Sequence, residues 1–94
     1  MALLSESVAV VTGGSSGIGR GISLAFAEYG ADVVVADTRE DPKEGGAPTH
    51  EAIEDRTDQG STFVECDVTK TEDLQAAVEA AEAFGGVSVM VNNA

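Results

Sequence analysis

Gly13, Gly17 and Gly19, with Ser15 and Ser16 between them, form the stretch of this chain best suited to holding a charged ligand. Gly13 allows a sharp turn, Gly17 lets a pyrophosphate approach the backbone closely, and Gly19 lets a following helix pack tightly. Ser15 and Ser16 offer hydroxyl donors, or a cap for that helix. A helix starting here presents unpaired amide N–H groups and the positive end of its dipole, and both favour a bound phosphate. A tight turn that binds nothing is the alternative. The phosphate loop of nucleoside triphosphatases is excluded, because it requires Gly-Lys-Ser/Thr at the helix start, where this chain has Gly19-Arg20-Gly21.

Asp37 lies 18 residues beyond Gly19, near the roughly 20 expected of a ribose-binding carboxylate in a dinucleotide fold. Its oxygens can accept hydrogen bonds from both ribose hydroxyls while its charge repels a 2′-phosphate, so it favours NAD over NADP. A solvated acid at a strand end is the alternative. Arg39 is a nearby base able to pair with a 2′-phosphate. Cys66, the one cysteine, reads as a small buried side chain rather than a nucleophile or metal ligand. His50 sits in an acidic stretch without partners at ligand spacing and reads as exposed, not metal-binding.

These residues need strands and helices to position them. Val8, Ala9, Val10 and Val11 are apolar at every position, as in a strand buried on both faces of a parallel sheet. Ile18, Ile22, Ala25, Phe26 and Tyr29 recur at helical spacing and predict one apolar stripe ending at Gly30. Asp32 to Asp37 reads as a second buried strand, and Ser61 to Cys66 as a third. Between them, Thr38 to Gly60 reads as an acidic, solvated loop with a short helix from Pro48 to about Gln59. Thr69 and Glu72 have capping-box spacing for a helix that buries Leu74, Ala77, Val78, Ala81 and Phe84 and stops at Gly85-Gly86. Val87 to Val91 reads as a fourth strand. The order predicts an α/β, Rossmann-like fold: a parallel sheet ordered 3-2-1-4, helices on both faces, and a ligand crevice where the strand order reverses.

The segment Thr12-Gly13-Gly14-Ser15-Ser16-Gly17-Ile18-Gly19 resembles the Thr-Gly-x-x-x-Gly-x-Gly cofactor motif of the short-chain dehydrogenase/reductase family. Cys66-Asp67-Val68-Thr69 resembles the family's adenine-contacting segment, and Val91-Asn92-Asn93-Ala94 its Asn-Asn-Ala-Gly motif, cut off before the glycine. The resemblance implies that Gly13, Ser15, Ser16, Gly17, Ile18 and Gly19 hold the cofactor together with Asp37. It further implies adenine contacts from the Asp67 side chain and the Val68 backbone, and it adds Asn92 and Ala94 to the cofactor-binding residues. The alternative for Asp67 is simply to form a turn, and the Asn92 and Asn93 side-chain amides could tie neighbouring strands together or approach the nicotinamide half. Thr38 and Ser16 stand where family members that use NADP often carry a base, which again favours NAD.

The resemblance covers residues 1–94 as the N-terminal dinucleotide-binding portion of an oxidoreductase. It implies hydride transfer between a nicotinamide cofactor and a carbonyl or hydroxyl group. The family's Ser-Tyr-Lys set is expected to be absent: the one tyrosine is Tyr29, and the residue four beyond it is Val33. These residues are therefore expected to bind cofactor without catalysing. Two alternatives stay open, a stand-alone NAD-binding module and an assembly partner that uses an exposed fourth strand. A second chain, or self-association, could cover that strand.

Seventeen acids against five bases give a net charge of −12, which disfavours nucleic acid and anionic membranes as partners. No apolar run approaches the ~18 residues of a membrane span, and no basic segment precedes the short apolar start, so a cytoplasmic location is expected. Acid-rich, lysine-poor composition resembles that of proteins from salt-loving microbes, whose self-repulsion concentrated salt screens. The melting temperature is therefore expected to rise between low and molar salt; a flat profile in thermal melting would remove the halophilic assignment.

Overall fold

The structure is a computed structural model that describes residues 3–93. Strands and helices alternate along the chain: β1 Val8–Thr12, α1 Gly17–Glu28, β2 Asp32–Asp37, α2 Thr49–Arg56, β3 Ser61–Glu65, α3 Thr71–Glu82 and β4 Val89–Val91. The strands form one parallel sheet in the order β3-β2-β1-β4, as the sequence pattern predicts. Val8 of β1 aligns with Asp32 of β2, and Ala9 with Val89 of β4.

All five residues of β1 are buried, and the alternation of a strand sends them to two cores. Val8 and Val10 join Val34, Ala36, Cys66, Ala77 and Ala81 beneath α3. Ala9 and Val11 join Ala27, Val33, Val35 and Ile53 beneath α1 and α2. The helices therefore cover both faces. Ile53, with no accessible surface, anchors the short helix α2 with about 2 kcal/mol of apolar burial. Among the described residues no helix is long and apolar enough to cross a membrane.

Several local expectations are corrected. The buried row of α1 is Gly19, Ser23 and Ala27, whereas Ile18 is 76% and Tyr29 47% exposed. Small residues at every fourth position let α1 lie close to the strand and turn beneath it, and that close approach, rather than side-chain hydrophobicity, fixes which face turns inward. Helix α2 ends at Arg56 rather than near Gln59, β3 ends at Glu65, and β4 begins at Val89, two residues later than expected. The loop after β2 is not simply solvated: Pro42 is buried, and the loop bonds back to the glycine turn.

The capping box at Thr69 does not form. Helix α3 starts at Thr71 with Lys70 in the N-cap position and no side-chain cap. Thr69 instead donates its N–H and its hydroxyl to Asp67 Oδ1, at 2.9 and 2.6 Å, while Asp73 Oδ2 accepts the Asp67 N–H at 2.9 Å. A carboxylate two residues back offers an Asx turn that competes with the cap. The two Thr69 bonds, hydroxyl first, hold the Asp67 carboxyl below its ordinary value, helped by the Lys70 charge. A carboxyl lowered in the folded state adds stability above its unfolded pKa and loses it as pH falls through the folded one. Thr69→Ala, which removes the hydroxyl bond and keeps the backbone one, is expected to raise the Asp67 pKa in an NMR titration and to reduce that acid-side increment; an unmoved titration would show that the Thr69 hydroxyl is not the main cause.

Candidate functional site

The site begins where β1 stops. The Gly13 and Gly14 amides both turn to the Ala36 carbonyl of β2, at 2.8 and 3.4 Å, and the Ser15 N–H donates to Asp37 Oδ2 at 3.0 Å. The backbone then passes through Gly17 at φ +55°, a left-handed conformation that L side chains rarely adopt. A Cβ on Gly17 would meet open space, whereas one on Gly19 would collide with the Gly13 carbonyl and lie 2.6 Å from Asn93 Nδ2. Gly17 therefore leaves room outside the turn, while Gly19 lets the helix close against it. Ser16 occupies the N-cap position of α1 in extended geometry without a capping bond; its hydroxyl accepts the Lys43 N–H instead.

A cavity of about 310 Å³ opens at the carboxyl ends of the strands, at the lower end of the size range of small-molecule pockets. Gly13, Ser16, Asp37, Thr38, Lys43, Cys66, Asp67, Val68 and Asn93 line it. The fold thus brings the ends of all four strands to one edge, where open parallel sheets bind ligands. Of the residues expected at the site, Gly13, Ser16, Asp37, Asp67 and Val68 line this cavity. Ser15 lies buried, and its Oγ has no hydrogen-bond partner among the described residues. Gly17 and Ile18 are exposed at the start of α1, and Gly19 is buried beneath it. Asn92 is exposed and outside the cavity, which its neighbour Asn93 lines. Ala94 lies outside the described residues.

Asp37 is neither free nor simply solvated. Besides the Ser15 amide it accepts the Thr38 N–H at 2.7 Å, so it braces the turn while facing the cavity. Burial pushes the Cys66 thiol up, and the carboxylates of Asp73, Asp67 and Asp37 push it further. A thiol held protonated in this way is a poor nucleophile, in keeping with its structural role.

Some contributors escaped the sequence reading. Thr12 is wholly buried, donates to the Val91 carbonyl at 3.2 Å and accepts the Asn93 N–H at 3.0 Å, stitching β4 to β1. A threonine closing an apolar strand was the available signal, since a buried hydroxyl needs partners. Lys43 lines the cavity from the loop after β2, and no periodicity marks it. His50 is corrected as well: its side chain is 19% exposed, bonds Glu40 at 2.6 Å, and has its ring centroid 6.4 Å from that of Phe63. With Glu51 it forms a group whose ligand atoms lie within 4.8 Å, a juxtaposition that the loop fold creates and residue spacing alone does not reveal.

Comparison with known proteins agrees with this geometry. A family model described as short chain dehydrogenase matches residues 7–94. The chain is 49% identical over 90 residues to an L-2,3-butanediol dehydrogenase of Corynebacterium glutamicum, covering 95% of this chain and 34% of that protein. It is 40% identical over 92 residues to a mitochondrial borneol dehydrogenase of Lavandula x intermedia, covering 97% and 32%. The crystal structure of L-sorbose reductase from Gluconobacter frateurii, complexed with NADPH and L-sorbose, superposes with a TM-score of 0.83 at 33% identity, over 100% of this chain and 35% of that one. The chain therefore spans about a third of the length of the curated relatives it matches. With the glycine turn, the parallel sheet and the shared cavity edge in place, these matches show that the chain belongs to the short chain dehydrogenase family.

Proposed function

We propose that these residues form the dinucleotide-holding part of an NAD-dependent oxidoreductase that acts on a carbonyl or hydroxyl group. The observation that carries the reading is the exposed, open backbone of Gly17 in the turn whose Gly13 and Ser16 line the same cavity as Asp37, Asp67 and Val68.

In this reading the amides at the start of α1 hold the pyrophosphate, helped by the helix dipole. Asp37 accepts the ribose hydroxyls with the lone pairs that Ser15 and Thr38 leave over. Asp67 and Val68 flank the adenine, and Asn92 lies toward the nicotinamide half. When bound, the nicotinamide supplies the hydride chemistry itself. Proton transfer belongs to groups that these residues do not include, since Tyr29 is exposed at the far end of α1 from the turn. NAD over NADP, and the cytoplasm as location, are parts of the same reading; the Asp37 charge supports the first, and Lys43 on the same cavity is the base that weighs against it.

Gly17→Val is expected to abolish NADH binding in a calorimetric titration, because it fills the open space beside the turn and strains a residue at positive φ. Retained affinity would remove the central assignment. Asp37→Asn keeps an oxygen for the Ser15 amide but removes the charge, so the preference for NADH over NADPH is expected to fall about tenfold, or roughly 1.4 kcal/mol. Unchanged selectivity would leave Asp37 as a brace alone.

A further inference from the structure

The loop between β2 and α2 carries a contact that the nucleotide-binding reading does not use. Glu44 Oε1 accepts the Gly17 N–H at 3.1 Å, and one residue earlier the Lys43 N–H donates to Ser16 Oγ at 2.7 Å. The far end of the loop is strapped down: Arg20 Nη1 donates to the Ala47 carbonyl at 2.9 Å and to Thr49 Oγ1 at 3.0 Å, and Thr49 donates to the Gly14 carbonyl at 2.9 Å. A carboxylate thus sits on the first amide of α1, where a helix attracts anions. The amide it takes and the hydroxyl taken by Lys43 both belong to the turn that would receive a dinucleotide.

We propose that Glu44 is a built-in competitor for the pyrophosphate of the ligand. Its carboxylate occupies the amide at the start of α1 until an anionic dinucleotide displaces it, and the affinity of the site is set by the difference between the two. The inference rests on the nucleotide-binding reading above. Two anions cannot share one amide without repelling each other, so binding requires Glu44 to leave. Departure uncovers no core, because Lys43 to Ala47 are all exposed. The strap through Arg20, Ala47 and Thr49 lies on the other side of this segment and can persist while Glu44 swings out. Ligands with phosphates therefore meet a competition that an uncharged nucleoside does not.

The test is calorimetric titration of the chain, of Glu44→Gln and of Glu54→Gln with NADH, alongside the NMR shift of the Gly17 amide in the ligand-free proteins. Glu54 is exposed on α2, and its substitution removes the same charge. Glu44→Gln is expected to tighten NADH about fivefold and to move the Gly17 resonance, and Glu54→Gln to do neither. Unchanged or weaker NADH binding in Glu44→Gln, an unmoved Gly17 resonance, or an equal gain in Glu54→Gln would overturn the competitor role while leaving nucleotide binding intact. If the unsubstituted chain and both variants all fail to bind NADH saturably, the nucleotide-binding reading falls, and the competition with it.

Discussion

The site is organised by where the amides that follow β1 find acceptors. Gly13 and Gly14 go to the Ala36 carbonyl, Ser15 to Asp37 and Gly17 to Glu44. All of these acceptors lie at the end of β2 or in the loop after it. The turn is thus fixed in shape by the next strand, which is why the sheet order, the position of Asp37 and the path of the loop are not independent features. Were β2 anywhere but beside β1, these amides would need water or a ligand instead.

How much of this is legible in the sequence follows from the range of the interactions. The β1–turn–α1 unit and the four-strand order are legible because they depend on local period and on general rules of connection. The inward face of α1 is not, because it is decided by how closely Gly19 can approach the Gly13 carbonyl, whereas hydrophobicity alone favours the exposed Ile18. The same holds for His50, whose partners come from a loop that folds back. At Thr69 two local rules compete, and the carboxylate two residues away prevails over the glutamate three residues ahead.

The electrostatics of the cavity are unusual for a site expected to receive phosphate. Asp37 and Asp67 line it, Lys43 is the one base among its lining residues, and the whole chain carries −12. Attraction for an anion must then come from oriented peptide groups more than from side-chain cations. Peptide dipoles act over the first turn of a helix and fall away quickly. Such a site recognises an anion by close fit and offers little long-range steering.

The bond from the Val8 N–H to Ser88 Oγ joins residues 80 apart in sequence. Strand β1, flanked by β2 and β4 in the sheet, acquires its second neighbour only when a strand some 80 residues further along is available. Closing so long a loop costs only about 1 kcal/mol more entropy than the β1–β2 pairing, in which Val8 aligns with Asp32. In a chain made from its N-terminus, the glycine turn and Asp37 can therefore assemble on two strands while the flank of β1 reserved for β4 is still bare. Local pairing can thus precede the long-range strand, because β1 sits between β2 and β4 in the sheet.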